Sequence, residues 1–158
     1  MIRHLGRLAV CGYSGYDAGM QVNACGCVPY RTNAQGAVEV LMILRRGGFW
    51  EFPKGKQEEG ETDQETALRE LREETNLHGE LDGEHPIDIA YTFTRGGVRY
   101  EKTVRMFLCH VSGNRPVICE KRELNDATWL PLEESLERAT YPQMKDVART
   151  ARTMLERQ

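Results

Sequence analysis

The sequence predicts an α/β domain, on three observations. Extended, β-rich runs lie on both sides of a polar helix-forming stretch, a second helical stripe closes the chain, and glycine or polar turns separate the runs. A chain of 158 residues without internal repeats or low-complexity tracts suits one folded unit of about 100–200 residues. Residues 1–158 are therefore expected to form a single domain, with 1–19 as a candidate N-terminal extension before the strand-like pattern that starts at Met20-Gln21-Val22.

Val22 to Arg31 and Ala37 to Arg45 are β-rich and flank the polar turn Thr32-Asn33-Ala34-Gln35-Gly36, so a hairpin or two neighbouring strands is expected. A short strand, Phe49 to Phe52, follows Gly47-Gly48. Thr62-Asp63-Gln64-Glu65 has capping-box spacing: Thr62 can accept from a free backbone N–H and Glu65 can reach back, so a helix begins there. At 100° per residue, Ala67, Leu68 and Leu71 fall on one side of it and Glu70, Glu73 and Glu74 on another. Asn76 follows, the non-glycine residue that best tolerates the left-handed conformation at a helix C-terminus. Ile87 to Arg95 and Val98 to Val111 flank Gly96-Gly97, which suits a tight hairpin turn, and Asp126 to Leu130 is one more strand. Met144, Val147, Ala148, Ala151, Met154 and Leu155 recur at helical spacing, the stripe of a core-packed helix.

Composition narrows the function classes. Lys plus Arg is 21, Asp plus Glu is 24, the net charge is −3, and 40% of residues are hydrophobic. This is a soluble globular composition, its charge neither basic enough for a general nucleic-acid binder nor extreme enough for disorder. No apolar run approaches the roughly 20 residues of a membrane helix, and Leu8 to Cys11 is too short for a signal-peptide core. Five cysteines with no C-x-x-C pair are expected to be reduced, in the cytoplasm. Cys25-x-Cys27 reads as buried small residues rather than as a zinc site.

Residues 51–74 hold nine acids and four bases. Like charges at i, i+3 and i+4 each cost a helix a few tenths of a kcal/mol, so three converging carboxylates suggest a cation. Oxygen-only ligands favour Mg²⁺, Mn²⁺ or Ca²⁺, and Mg²⁺ shares its shell with water and phosphate. The competing reading is a solvated acidic face with Arg69 paired to Glu73.

The order Gly55, five residues, Glu61, seven residues, then Arg69-Glu70-Leu71-Arg72-Glu73-Glu74-Thr75-Asn76-Leu77 resembles the Nudix box, G-x5-E-x7-R-E-U-x-E-E-x-G-U. Every specified position matches except Asn76, which stands for glycine. The resemblance implies the Nudix α/β/α sandwich with a mixed β-sheet and a divalent-metal hydrolase of nucleoside diphosphate linkages. It implies Glu73 and Glu74 as principal metal ligands, the Gly55 carbonyl as a further one, and Glu70 as ligand or general base. Arg69 and Glu61 are expected to hold the loop and helix in shape.

Trp50-Glu51-Phe52-Pro53-Lys54-Gly55 resembles the approach to the box in asymmetric diadenosine tetraphosphate hydrolases and, less specifically, in diphosphoinositol polyphosphate and mRNA-decapping relatives. Lys102-Thr103-Val104 is similar to the first group's strand motif, and Trp129 to Glu134 followed by Tyr141 to Lys145 resembles its C-terminal signature. That resemblance implies Lys54 and Lys102 on the phosphate chain, Tyr91 and Tyr141 stacking on adenine, and Glu123 as a further metal ligand or the general base, with Glu120 close by. The function it implies is a Mg²⁺-dependent hydrolase, with Mn²⁺ as the alternative ion. The product pair would be ATP and AMP, formed by attack of an activated water. The alternatives are an RNA 5′-pyrophosphohydrolase, a diphosphoinositol polyphosphate hydrolase, a nucleotide-pool pyrophosphatase and, from another class, a non-catalytic nucleotide sensor. The expected partner is a small-molecule nucleotide, with no membrane, no stable nucleic-acid partner and a monomeric state.

Overall fold

The central strand of the sheet, β1 (Met20–Thr32), organises the structure, a computed structural model that describes residues 19–158 except 84, 114, 120 and 121. Apart from Gly19, the extension expected at 1–19 lies outside the described residues, and Cys11 lies outside with it. β1 pairs antiparallel with β2 (Val38–Arg45), where Tyr30 faces Val40 across the turn read from the sequence. On its other side it runs parallel to β7 (Val98–His110), from Met20 opposite Tyr100 to Tyr30 opposite His110. β3 (Phe49–Glu51) and β8 (Leu124–Pro131) pair antiparallel with β2, and β5 (Glu80–Leu81) and β6 (Ile87–Arg95) pair antiparallel with β7. The result is a mixed sheet.

β4 (Lys54–Lys56) pairs antiparallel with β1 and places Lys54 opposite Gly26 and Gly55 opposite Cys25. This close approach explains Gly26: a Cβ there would lie 2.2 Å from the Pro53 carbonyl oxygen, so only glycine admits the strand. β6 and β7 meet through Gly96 and Gly97, at φ 58° and 76°, the tight turn expected from the sequence.

Strand alternation gives the sheet two buried faces. Ala24, Val28 and Tyr30 of β1 and Val40 and Met42 of β2 pack in one cluster with Met144, Val147, Ala148, Ala151 and Leu155 of α3 (Pro142–Leu155). Cys25, Cys27 and Leu41, the intervening residues, pack with Ala67 and Leu71 of α1 (Asp63–Thr75) and with Leu77. Helices thus cover both faces of the sheet, with α2 (Leu132–Arg138) beside α3. The cysteines of β1 are buried free thiols, as the sequence suggested.

α1 starts and stops where its caps dictate. The Glu65 backbone N–H donates to the Thr62 hydroxyl at 3.2 Å, and the Thr62 backbone N–H donates to the Glu65 carboxylate at 2.8 Å. At the other end Asn76 adopts φ 59°, ψ 16°, and its N–H donates to the Arg72 carbonyl at 2.8 Å. Left-handed geometry is thus reached without the usual glycine.

Candidate active site

The first half of the site is built by joining β4 to α1. Arg69, midway along α1, donates through Nε to Glu61 at 2.5 Å and through Nη2 to Glu61 at 2.9 Å and to the Lys56 carbonyl at 3.1 Å. Glu61 also accepts from the Thr66 hydroxyl at 2.7 Å and from the Glu58 N–H at 3.1 Å. The hydrogen bonds from Arg69 and then Thr66 hold the Glu61 carboxyl down to about 2. Arg69 and Glu61 therefore tie strand, loop and helix together, as expected for these positions.

This clamp aims the helix carboxylates unequally. Glu70 and Glu74 are buried, with side-chain exposures of 6% and 1%, and both line a cavity of about 270 Å³ together with Arg45, Lys54, Gly55, Lys56, Lys102 and Glu123. Gly55 lies directly against Glu70: a Cβ at Gly55 would stand 2.1 Å from the Glu70 carboxyl carbon. Glu73, by contrast, is 40% exposed and is not among the residues lining the cavity; Arg69 Nη1 donates to Glu70 at 2.8 Å and to Glu73 at 3.4 Å. Glu123 is 78% exposed at the cavity mouth, 3.7 Å from Arg45 Nη1. Glu120 lies outside the described residues.

Two residues that the sequence reading did not single out organise the cavity floor. Arg45, at the end of β2, donates through Nη2 to Glu74 at 2.7 Å and to the Lys54 carbonyl at 3.0 Å, and through Nε to Glu51. Glu51 in turn accepts from Lys54 Nζ at 2.8 Å, while the Lys54 backbone N–H donates to Glu74 at 3.1 Å. Burial pushes the Glu51 carboxyl up, but Lys54 and Arg45 outweigh it and hold the group below the usual carboxylate range. No local pattern marks these residues, because Arg45 finds partners in distant segments: Glu74 is 29 positions away, and Glu123 is farther still along the chain.

The second half is an aromatic cleft of about 410 Å³ lined by Glu51, Tyr91, Phe93, Lys102, Tyr141, Gln143 and Met144. Tyr91 stands opposite Lys102 in the β6–β7 ladder, so both side chains share one face, and it also packs on the core. Tyr141, 43% exposed at the start of α3, stacks on Phe49 with ring centroids 5.3 Å apart. Lys102 lines this cleft and the carboxylate cavity alike. Burial, then the nearby charge of Lys54, lower its pKa. Two ammonium groups that repel across a shared cavity make an anion between them favourable.

The donor set fits a hard divalent cation. Glu70, Glu74, Glu123 and the Gly55 backbone offer only oxygen, and the missing Gly55 side chain leaves the Glu70 carboxylate its place on the cavity. Among the described residues, no three acidic, histidine or cysteine side chains are already gathered at ligating distance. Mg²⁺ completes its shell with waters and phosphate oxygens, so the few carboxylates lining the cavity fit such an ion.

A family model described as NUDIX domain matches residues 20–151. The chain belongs to the Nudix hydrolase family. This Nudix chain is 34% identical over 127 residues to MutT4 of Mycobacterium tuberculosis, covering 79% of itself and 50% of that protein. It is 31% identical over 137 residues to the asymmetrical bis(5′-nucleosyl)-tetraphosphatase of Mus musculus, covering 80% of itself and 90% of the mouse protein. A solved structure of a C. elegans Ap4A hydrolase binary complex superposes with a TM-score of 0.75 at 26% identity, over 85% of this chain and 98% of that one. The mixed sheet between helices is thus the Nudix α/β/α sandwich.

Proposed function

We propose that this Nudix chain is a Mg²⁺-dependent hydrolase that cleaves diadenosine tetraphosphate asymmetrically to ATP and AMP, with Mn²⁺ as the alternative ion. The observation that carries this reading is Lys102, which lines both the aromatic cleft and the carboxylate cavity. An adenine stacked in the cleft leads its phosphate chain over Lys102 toward Glu70 and Glu74. Stacking on Tyr91 or Tyr141 is worth about 1–3 kcal/mol per base. The similarity to the mouse tetraphosphatase and the C. elegans Ap4A hydrolase supports the same substrate.

Each residue then has a task. Lys54 and Lys102 bind the phosphate chain and hold it in line. Glu70, Glu74, the Gly55 carbonyl and Glu123, which line the cavity, are the groups that would hold the divalent ion, together with Glu73, which the box pattern adds and which stands beside Arg69 in this structure. When bound, that ion supplies charge neutralisation on the phosphoryl oxygens and lowers the pKa of a water. Glu70 or Glu123 accepts the proton of the attacking water. Water adds to one phosphorus, one phosphoanhydride P–O bond breaks, and the leaving phosphate carries away the electron pair.

The match over residues 20–151 and the joining of the described strands into one sheet support a single domain. Free thiols at Cys25, Cys27, Cys109 and Cys119 support a reducing, cytoplasmic setting. Among the described residues no helix is long and apolar enough to cross a membrane. We read the protein as a monomer acting on a small-molecule nucleotide, without a stable nucleic-acid partner.

The test is a side-by-side comparison of kcat/KM on diadenosine tetraphosphate, a 5′-triphosphorylated RNA, a diphosphoinositol polyphosphate and a nucleoside triphosphate. The reading expects the first to lead by at least about tenfold. A preference for any of the others keeps the hydrolase chemistry and overturns the substrate.

A further inference from the structure

We propose that Arg45 and Glu51, two residues outside the Nudix box, form a positioning unit that aims Glu74 and Lys54 into the carboxylate cavity. The inference rests on the hydrolase reading above. Arg45 Nη2 donates to one Glu74 oxygen at 2.7 Å and to the Lys54 carbonyl at 3.0 Å, and the Lys54 backbone N–H donates to the other Glu74 oxygen at 3.1 Å. These contacts close a ring: the strand residue that carries the lysine and the helix carboxylate are locked to the same guanidinium. Glu51 completes the unit, because it accepts from Arg45 Nε and, through its other oxygen, from Lys54 Nζ at 2.8 Å.

Geometry, more than charge, makes Arg45 suited to this place. A guanidinium presents several N–H donors in one plane, so it can face Glu51 on one edge and Glu74 with the Lys54 carbonyl on another. Lysine at the same position keeps the positive charge but presents one compact ammonium that cannot span those acceptors. Glu51 lines the aromatic cleft, whereas Arg45 and Lys54 line the carboxylate cavity. The pair therefore reaches both compartments, and its hydrogen bonds set the register of Lys54 relative to Glu74. Partners that orient a metal-binding side chain typically account for 10–100-fold in metal affinity or activity.

The test is Mn²⁺ binding to the full chain, followed by electron paramagnetic resonance without nucleotide, for wild type, Arg45→Lys and Glu51→Gln. Thermal melting and the split of kcat from KM on diadenosine tetraphosphate accompany it. For Arg45→Lys the expected result is Mn²⁺ affinity weaker by about tenfold or more, a lower kcat and a KM near wild type. Mn²⁺ affinity in folded Arg45→Lys within about twofold of wild type overturns the proposal, as does wild-type protein that binds no Mn²⁺. If Arg45→Lys does not fold, Glu51→Gln decides. It replaces one acceptor oxygen by an amide that faces a cation, and Mn²⁺ affinity must again weaken; an unchanged affinity overturns the proposal. Normal Mn²⁺ binding with diadenosine tetraphosphate left intact sinks the substrate assignment alone.

Discussion

Replacing Gly55 by alanine tests the site at its narrowest point. The Cβ would stand 2.1 Å from the Glu70 carboxyl carbon and 2.1 Å from one of its oxygens. That is about 1.4 Å short of the ~3.5 Å at which carbon atoms pack. Gly55 does not occupy the left-handed region, so alanine meets no backbone penalty there, and the strain falls on the Glu70 side chain. Glu70 must swing away by more than an ångström, and displacements of that order in a reacting constellation cost about 10² in rate, or roughly 2.7 kcal/mol. We expect Gly55→Ala to lower kcat on diadenosine tetraphosphate by about 10²-fold. The assay is a double-mutant cycle with Glu70→Asp, whose shorter side chain retreats from the new methyl. If the collision is the cause, the double variant is no slower than Glu70→Asp alone. Additive losses, or near-normal turnover of Gly55→Ala, refute the reasoning.

Other perturbations separate binding, chemistry and stability. Glu73→Gln is expected to lower kcat by orders of magnitude while melting as wild type, because the side chain is 40% exposed and away from the core; near-normal turnover contradicts a ligand role. Tyr141→Ala should raise KM by about 5–150-fold with a smaller effect on kcat, matching about 1–3 kcal/mol of stacking, and an unchanged KM removes Tyr141 from the base site. Leu71→Ala, at a fully buried position between α1 and the sheet, should cost about 2–5 kcal/mol in urea unfolding, whereas a loss below about 1 kcal/mol would show that the face is loosely packed. The Glu61 carboxyl, held at about 2 against an ordinary value of 4.5, stabilises the fold fully above about pH 4.5 and loses that contribution as pH falls toward 2. The difference in Tm between wild type and Glu61→Gln should therefore shrink as pH is lowered through that window. A difference independent of pH contradicts the Arg69–Glu61 clamp.

What could be read from the chain was local. The Thr62–Glu65 capping box, the left-handed Asn76, the Gly96-Gly97 hairpin and the α3 stripe depend on residues within a turn or two of each other, and each stands where its spacing put it. The box likewise led to Arg69 and Glu61 as the clamp. What stayed hidden depends on contacts between distant segments. β4 and β5 are three and two residues long, too short to show alternation, and they exist only because β1 and β7 offer edges to pair with. The helical wheel put Glu70, Glu73 and Glu74 on one face, and the i,i+4 spacing already paired Glu73 with Arg69, but only the sheet beneath decides that Glu70 and Glu74 are buried while Glu73 stays partly exposed. Arg45 looked like a strand-terminal charge, Glu51 like one acid among nine, and Phe49 like strand filler. Their roles appear once β2, β3 and α3 are brought side by side.

The measurement that bears most directly on the central claim is product analysis. Purified protein is incubated with diadenosine tetraphosphate and Mg²⁺, with an EDTA control, and the nucleotides are resolved by anion exchange. The account predicts ATP and AMP in equal amounts, abolished by EDTA. Two molecules of ADP, products that persist in EDTA, or substrate left intact would contradict it.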